Sequence, residues 1–395
     1  MKFIIIGGGV AGTTAAEYLR KLDTEAEITL VSEEHHSLYS RVLLPHLIKG
    51  KVPRERIFLK KDDWYYKQNI DVLRGVVVEK LDVKNKFVLL TGGRELEFDK
   101  LLIATGGEVR TIDDDLRGVS YFRTLDDADH ISQLLNELPH GARGGIYGGG
   151  FIACEYLNLF RHFEMPTTIA FRGKHFWSRV LEVEAGTLIN DHLVKEGVEV
   201  HVSADLVSLT GETQLEGFVT TAGEHPCSML GVGIGVTPDF SYLSEAGVET
   251  GNGVKANEYL ETNIENIFTA GDVAEFYDSI AGRHLNVKNW MNAMSQGRAV
   301  AQNMAGTKTP FELVSSYSIN RLGLEMIFVG DVDKDAVDKV HVIGSADAGG
   351  VTQVYERDGK VVGGVMIGRN TDRKPITDGI KEKRSAEEVI KSVNN

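Results

Sequence analysis

Only two of the 395 residues are cysteines, Cys154 and Cys227. They lie too far apart for a CxxC or CxxxxC redox pair, and they are too few for a four-cysteine zinc site or an iron–sulfur ligand set. No metal site is expected. Long apolar runs are missing too, and the longest falls far short of a membrane span. Basic charge is in deficit: 43 Lys and Arg face 57 Asp and Glu, for a formal net charge of −14. That balance disfavours nonspecific nucleic-acid binding, which runs on basic surface, though it is compatible with one local basic patch. There is no repeat, low-complexity tract or long linker. The first residues enter a strand and a glycine loop directly, so no secretory signal is expected and the cytoplasm is the expected location.

What is present is an ordinary globular composition, 42% hydrophobic and 25% charged, with 43 glycines. The length suggests two or three domains. Much of the glycine sits in turns and in two loops. Gly7-Gly8-Gly9-Val10-Ala11-Gly12 follows the apolar run Phe3 to Ile6, and Gly148-Gly149-Gly150-Phe151-Ile152-Ala153 follows Ile146-Tyr147. Each reads as strand, tight turn and helix. The first glycine makes the turn, and the second lets backbone approach a pyrophosphate on the helix N-terminus. The third, or an alanine, lets helix pack on strand. One such loop is a weak signal. Two, in separate α/β units, point to two dinucleotides on one chain and to electron transfer between them.

The hydrophobic pattern predicts strands at Glu27–Val31, Val72–Val78, Lys86–Leu90, Thr167–Phe171, Val198–Val202 and Leu230–Gly235. A buried strand over Phe98–Ile103 ends in the small-residue turn Ala104-Thr105-Gly106, and another ends in Gly271-Asp272. Helices are expected after each glycine loop, over Asp126–Leu138 and over Trp290–Ala305, with a strand-rich tail ending in a charged helix. Glu33 and Glu34 follow the second strand, about 20 residues past the first loop, where a carboxylate accepts hydrogen bonds from an adenosine ribose; Glu33 is the better placed.

The ordered set resembles the two-dinucleotide flavoprotein reductases of the glutathione-reductase structural class. Within it the chain is similar to the ferredoxin, rubredoxin and nitrite-reductase-associated FAD reductases. The residues that carry this are Gly7–Gly12, Tyr39-Ser40-Arg41, Ala104-Thr105-Gly106, Arg123–Ala128, Gly148–Glu155, Gly235–Pro238, Ala270-Gly271-Asp272 and Gln296-Gly297-Arg298. The resemblance implies an α/β fold with two Rossmann-like domains, one for FAD and one for NAD(P)H, plus a small strand-rich C-terminal α+β domain. The implied segments are 1–118 and 247–310 for FAD, 119–246 for NAD(P)H and 311–395 for the tail.

By the same resemblance, Gly7, Gly9, Ala11, Gly12 and Glu33 or Glu34 would hold the ADP half of FAD, with Val78 at the adenine and Arg41 at the pyrophosphate. Ala104, Thr105, Gly106, Gly271 and Asp272 would complete the FAD site. The helix from Trp290 would point its N-terminus at the flavin pyrimidine, where negative charge grows on reduction. Gly148, Gly150, Phe151, Ile152 and Gly235 would hold NADPH or NADH, and Glu155 matches a glutamate near the nicotinamide. Hydride transfer needs alignment and shielding more than a general acid.

Three departures qualify the likeness. Ser37-Leu38-Tyr39-Ser40-Arg41 stands where disulfide reductases of this class place their thiols, so a flavin–thiol relay is excluded and both cysteines read as packing residues. His46 falls where ferredoxin reductases often carry a lysine near flavin N5, and could titrate with flavin reduction. Phe171 replaces a glutamate that binds the ribose diol of NADH, and Arg172 and Lys174 follow, which favours NADPH. Phe176-Trp177 reads as added, exposed aromatic surface. The expected activity is NAD(P)H oxidation through FAD with delivery to rubredoxin or ferredoxin. Still open are an oxygen-reducing oxidase, a redox-sensing flavoprotein like apoptosis-inducing factor, a decayed coenzyme site, and a monomer or a homodimer.

Overall fold

The computed structural model describes residues 1–113 and 116–393, without the side chains of 320 and 321. The chain divides into two compact units. The first comprises Met1–Val42, Arg54–Glu108 and Thr237–Ser315; the second comprises Leu43–Pro53, Val109–Val236 and the chain from Ser316 onward. By contacts the tail groups with residues 109–236, and residues 43–53 join the second unit, where Leu44–Ile48 packs on the helices Leu125–Glu137 and Phe151–His162.

In the first unit five strands form a parallel sheet in the order Ile267–Thr269, Lys100–Ile103, Lys2–Ile6, Glu27–Ser32 and Ile70–Arg74. Both faces are covered, which is why Phe3–Ile6 is apolar at every position. Phe3 and Ile5 pack into a core with Ala15, Leu19 and Val300, from the helices Val10–Leu22 and Trp290–Met304. Ile4 and Ile6 point the other way, into Val78, Val88 and Leu90 of an antiparallel three-stranded sheet. The expected strand Val72–Val78 is broken in two: Ile70–Arg74 and Val78–Asp82 are separate, and the turn between them sits at Gly75, whose φ is +68°. The His35 ring fills the space that a Cβ there would need, 2.2 Å away.

The second unit repeats the plan. Its parallel sheet runs Glu199–His201, Thr167–Ala170, Gly144–Tyr147, Met229–Val232, Val119–Ser120, with the glycine-loop strand again central. Strand order reverses at that strand in both sheets, the point where doubly wound folds bind ligands. The helix Val183–Lys195 has no counterpart in the sequence expectations. It lacks a side-chain N-cap and contains Gly186, both of which weaken a helical signal. Gly186 is there for the packing: a Cβ would lie 1.9 Å from His175 Nδ1. The tail is a five-stranded antiparallel sheet followed by two helices, Arg373–Lys381 and Ala386–Val393, where one was expected. Among the described residues no helix is long and apolar enough to cross a membrane.

Candidate functional site: two dinucleotide cradles

The first cradle opens at the carboxyl end of Lys2–Ile6. Gly7 has φ +118°, and a Cβ on it would lie 2.2 Å from the Ala104 carbonyl oxygen. A Cβ on Gly12 would lie 2.1 Å from the Gly7 carbonyl oxygen, so helix and turn touch through backbone, as the loop pattern demands. The helix Val10–Leu22 starts at Gly9 with no side-chain cap and no acid in its first turn. Its first amides are left for an anion. Gly9 itself faces open space.

Glu34 accepts hydrogen bonds from the Tyr39 hydroxyl and from Arg41 Nη2, the latter at 2.6 Å. Glu33 is exposed at the strand end. With Glu34 holding one side of the guanidinium, Arg41 Nη1 is buried with no protein partner among the described residues. On the far side Gly271, at φ +87°, donates its amide to Gln296 Oε1 at 2.6 Å, while Gln296 Nε2 is buried and unpartnered among the described residues. A Cβ on Gly297 would lie 2.5 Å from the Ala11 carbonyl oxygen, so the Gln-Gly pair brings Trp290–Met304 against the loop helix and anchors the Gly-Asp turn. The sequence showed this pair only as part of a motif, without a role. Asp272 is half-buried, and its carbonyl accepts from Asn286. Trp290 is half-buried at the first position of its helix, which is capped by Asn289. Thr105 and Gly106 follow Ala104 at the rim, and Val78 is buried at the start of its strand. Two buried unsatisfied donors and an uncapped helix N-terminus fit a phosphate-bearing dinucleotide such as FAD.

The second cradle repeats the backbone. Gly148 has φ +133°, and a Cβ would lie 2.2 Å from the Gly233 carbonyl oxygen. Gly150 caps Phe151–His162 without a side-chain hydrogen bond, and the first turn carries no acid. Gly235, at φ +107°, faces open space. Phe151 is exposed, while Ile152 and Glu155 are half-buried on the loop helix. Arg172 and Lys174 are exposed. Phe171, by contrast, is buried under the loop, its Cγ 2.9 Å from where a Cβ on Gly149 would sit.

Phe176 and Trp177 are not surface. They are 0% and 8% exposed. Their rings pack on Phe171, Phe151 and, from the tail sheet, Phe328, with Tyr317 stacked on Phe328 at 5.0 Å. His46 is half-buried on Leu44–Ile48, in the unit that carries the second loop. Both cysteines are buried and neither is in a disulfide. Burial pushes the Cys227 thiol up to about 12, leaving almost no thiolate at neutral pH. One cluster went unseen in the sequence. Glu199, His201 and His225 bring metal-ligating atoms within 4.8 Å of one another, where no metal site was expected. Without an ion they are satisfied internally, His201 by Glu199 at 2.9 Å and His225 by Thr220 at 2.9 Å.

A family model described as pyridine nucleotide-disulphide oxidoreductase matches residues 1–297. A ferredoxin–NAD(+) reductase subunit of a benzene 1,2-dioxygenase system from Pseudomonas putida is 30% identical over 333 residues, 83% of this chain and 80% of that protein. An NADH oxidase of Methanocaldococcus jannaschii is 29% identical over 98% of this chain and 93% of its own length. A nitrite reductase [NAD(P)H] of Bacillus subtilis is 25% identical over 99% of this chain, which spans about half, 48%, of that relative. The reductase in a solved covalent putidaredoxin reductase–putidaredoxin complex superposes with TM-score 0.88 at 24% identity, covering 99% of this chain and 98% of the other. That likeness extends the shared fold through the tail.

Proposed function

The chain belongs to the pyridine nucleotide-disulphide oxidoreductase family, and on that premise we propose that it is an FAD-dependent NAD(P)H oxidoreductase that delivers electrons to a small redox protein of the rubredoxin or ferredoxin class. The observation that carries this reading is the pair of glycine cradles on two parallel sheets whose four corresponding strands share one order, in a chain with no thiol pair to relay electrons. When bound, FAD supplies the chemistry that converts a two-electron hydride donor into a source of single electrons.

The residues supply retention, alignment and charge. Glu33 would accept from the FAD ribose hydroxyls, and Arg41 Nη1 would donate to the pyrophosphate beside the first helix N-terminus. Gln296 holds the Gly271 turn so that Asp272 is offered to the ribityl chain or pyrophosphate. The helix from Trp290 would present its positive end to the flavin pyrimidine. Glu155 and His46 are assigned to the nicotinamide and flavin ends of the reaction. Arg172 and Lys174 would receive a 2′-phosphate. The relatives are named for NADH or NAD(P)H, and both coenzymes are substrates on this reading. A cytoplasmic location accords with it.

Anaerobic stopped-flow reduction of the purified yellow protein by NADH and NADPH, followed by mixing with rubredoxin and ferredoxin, tests the proposal. Fast flavin reduction and fast reoxidation by a carrier are expected. Reoxidation by oxygen far faster than by any carrier would make it an oxidase. Slow reduction with a long-lived charge-transfer complex would mark a redox sensor.

A further inference from the structure

Trp177 is unusual on three independent counts. Its backbone is left-handed, at φ +51°, a conformation that bulky residues rarely adopt and that collects at functional sites. In that conformation its amide donates to the Gly149 carbonyl at 3.2 Å, which ties the residue to the second glycine loop. Its indole Nε1 is buried and has no partner among the described residues. An indole nitrogen can only donate, and buried tryptophans ordinarily find an acceptor. A phenylalanine would fill the same aromatic pocket with no polar atom to satisfy.

The indole nitrogen is positioned beside the second glycine loop. Nε1 lies 3.7 Å from where a Cβ on Gly150 would sit, and Gly150 is the N-cap of the loop helix, with no side-chain cap hydrogen bond. Phe151, Phe176 and Phe328 hold the ring there, with centroids 5.0–5.3 Å away. An anion seated on that helix N-terminus would meet the indole N–H beside the helix amides.

We infer that the Trp177 indole N–H donates a hydrogen bond to a pyrophosphate oxygen of the bound nicotinamide dinucleotide. This rests on the coenzyme reading of the second loop. The pyrophosphate is common to NADH and NADPH, so Trp177 sets affinity for both without choosing between them, whereas Arg172 and Lys174 bear on the 2′-phosphate alone.

The test uses FAD-loaded protein. Trp177→Phe should raise the dissociation constants of NADH, NADPH and ADP together, by roughly 10- to 100-fold. FAD content and the saturated rate of flavin reduction should stay within a few-fold of wild type. Binding of adenosine, which lacks the pyrophosphate, should change little. ADP should quench tryptophan emission in wild type and in a Trp64→Phe control, but not in Trp177→Phe. Unchanged or tighter ADP binding by Trp177→Phe would overturn the inference alone, the latter by making the indole a plug. Wild-type protein that keeps FAD but binds neither coenzyme nor ADP would overturn the coenzyme reading with it. Should the variant misfold, 15N-tryptophan-labelled wild type gives a second readout. One indole N–H resonance should move downfield on adding ADP, and no movement would overturn the inference.

Discussion

The two cradles share a backbone and differ at the end of the second strand. In both, a left-handed glycine closes on a neighbouring carbonyl oxygen, 2.2 Å from the missing Cβ, and an uncapped helix begins three residues later. In the first, Ser32 lies beneath the middle glycine and Glu33 and Glu34 follow. In the second, Phe171 lies beneath the middle glycine and a basic turn follows. On the proposed function, glycine geometry places a dinucleotide at each loop, and the residues after the second strand choose which one.

The largest effects should come from breaking one cradle while leaving the other. Gly7→Val would force a branched side chain into the Ala104 carbonyl at an unfavourable φ, at a cost of more than about 3 kcal/mol. Colourless or poorly folded protein is expected, read by absorbance per chain. Gly148→Val should leave the yellow colour and abolish reduction by either coenzyme. Loss of FAD from the Gly148 variant would show that the cradles are not separable.

Those glycines were legible in the sequence because nothing else satisfies their contacts. The same is true of the central strands, whose apolar runs are covered on both faces. Misreadings came where the partner lies far along the chain. Phe176 and Trp177 looked exposed because Phe328, which covers Trp177, arrives about 150 residues later on the tail sheet. Glu199 and His201 share one strand, but His225 comes from a separate hairpin, so no spacing announced the cluster. That Arg41 and Tyr39 hydrogen-bond Glu34 was likewise not announced by spacing.

A mid-sized effect should follow from making the second strand end like the first. Phe171→Glu would restore a ribose acceptor and repel a 2′-phosphate, shifting preference toward NADH. Since Phe171 is 3% exposed and wedged under Gly149, some loss of stability is also expected. Arg172→Ala should raise the NADPH Michaelis constant roughly 5- to 30-fold, the equivalent of about 1–2 kcal/mol, and leave NADH nearly unchanged. The wild-type preference for NADPH should fall as salt rises, because the contact is exposed. Flavin reduction rates at matched coenzyme concentrations decide the matter. Equal or faster reduction by NADH in wild type would remove the assignment of Arg172 and Lys174.

The smallest effect concerns the thiols, and it sharpens the comparison by asking whether anything besides two cofactors carries electrons. Cys154 and Cys227 are each 3% exposed, and the Cys227 sulfur sits 2.8 Å from where a Cβ on Gly145 would be. Burial raises the Cys227 thiol from its ordinary value of 9.0 to about 12. Cys154→Ala/Cys227→Ser should therefore keep hydride transfer within a few-fold of wild type, and a thiol reagent at pH 8 should label folded protein only slowly. The sign of the alkaline dependence also follows. Well below pH 9 the thiol is protonated whether the chain is folded or not, and it contributes almost nothing to pH dependence. Between 9 and 12 the unfolded chain loses the proton first, so stability falls by up to about 1.4 kcal/mol per pH unit. Cys227→Ser removes that titration, and its denaturant midpoint should drop less steeply than that of wild type from pH 9 to 10.5. A collapse of turnover in the double variant, with FAD retained, would mean that a thiol does take part.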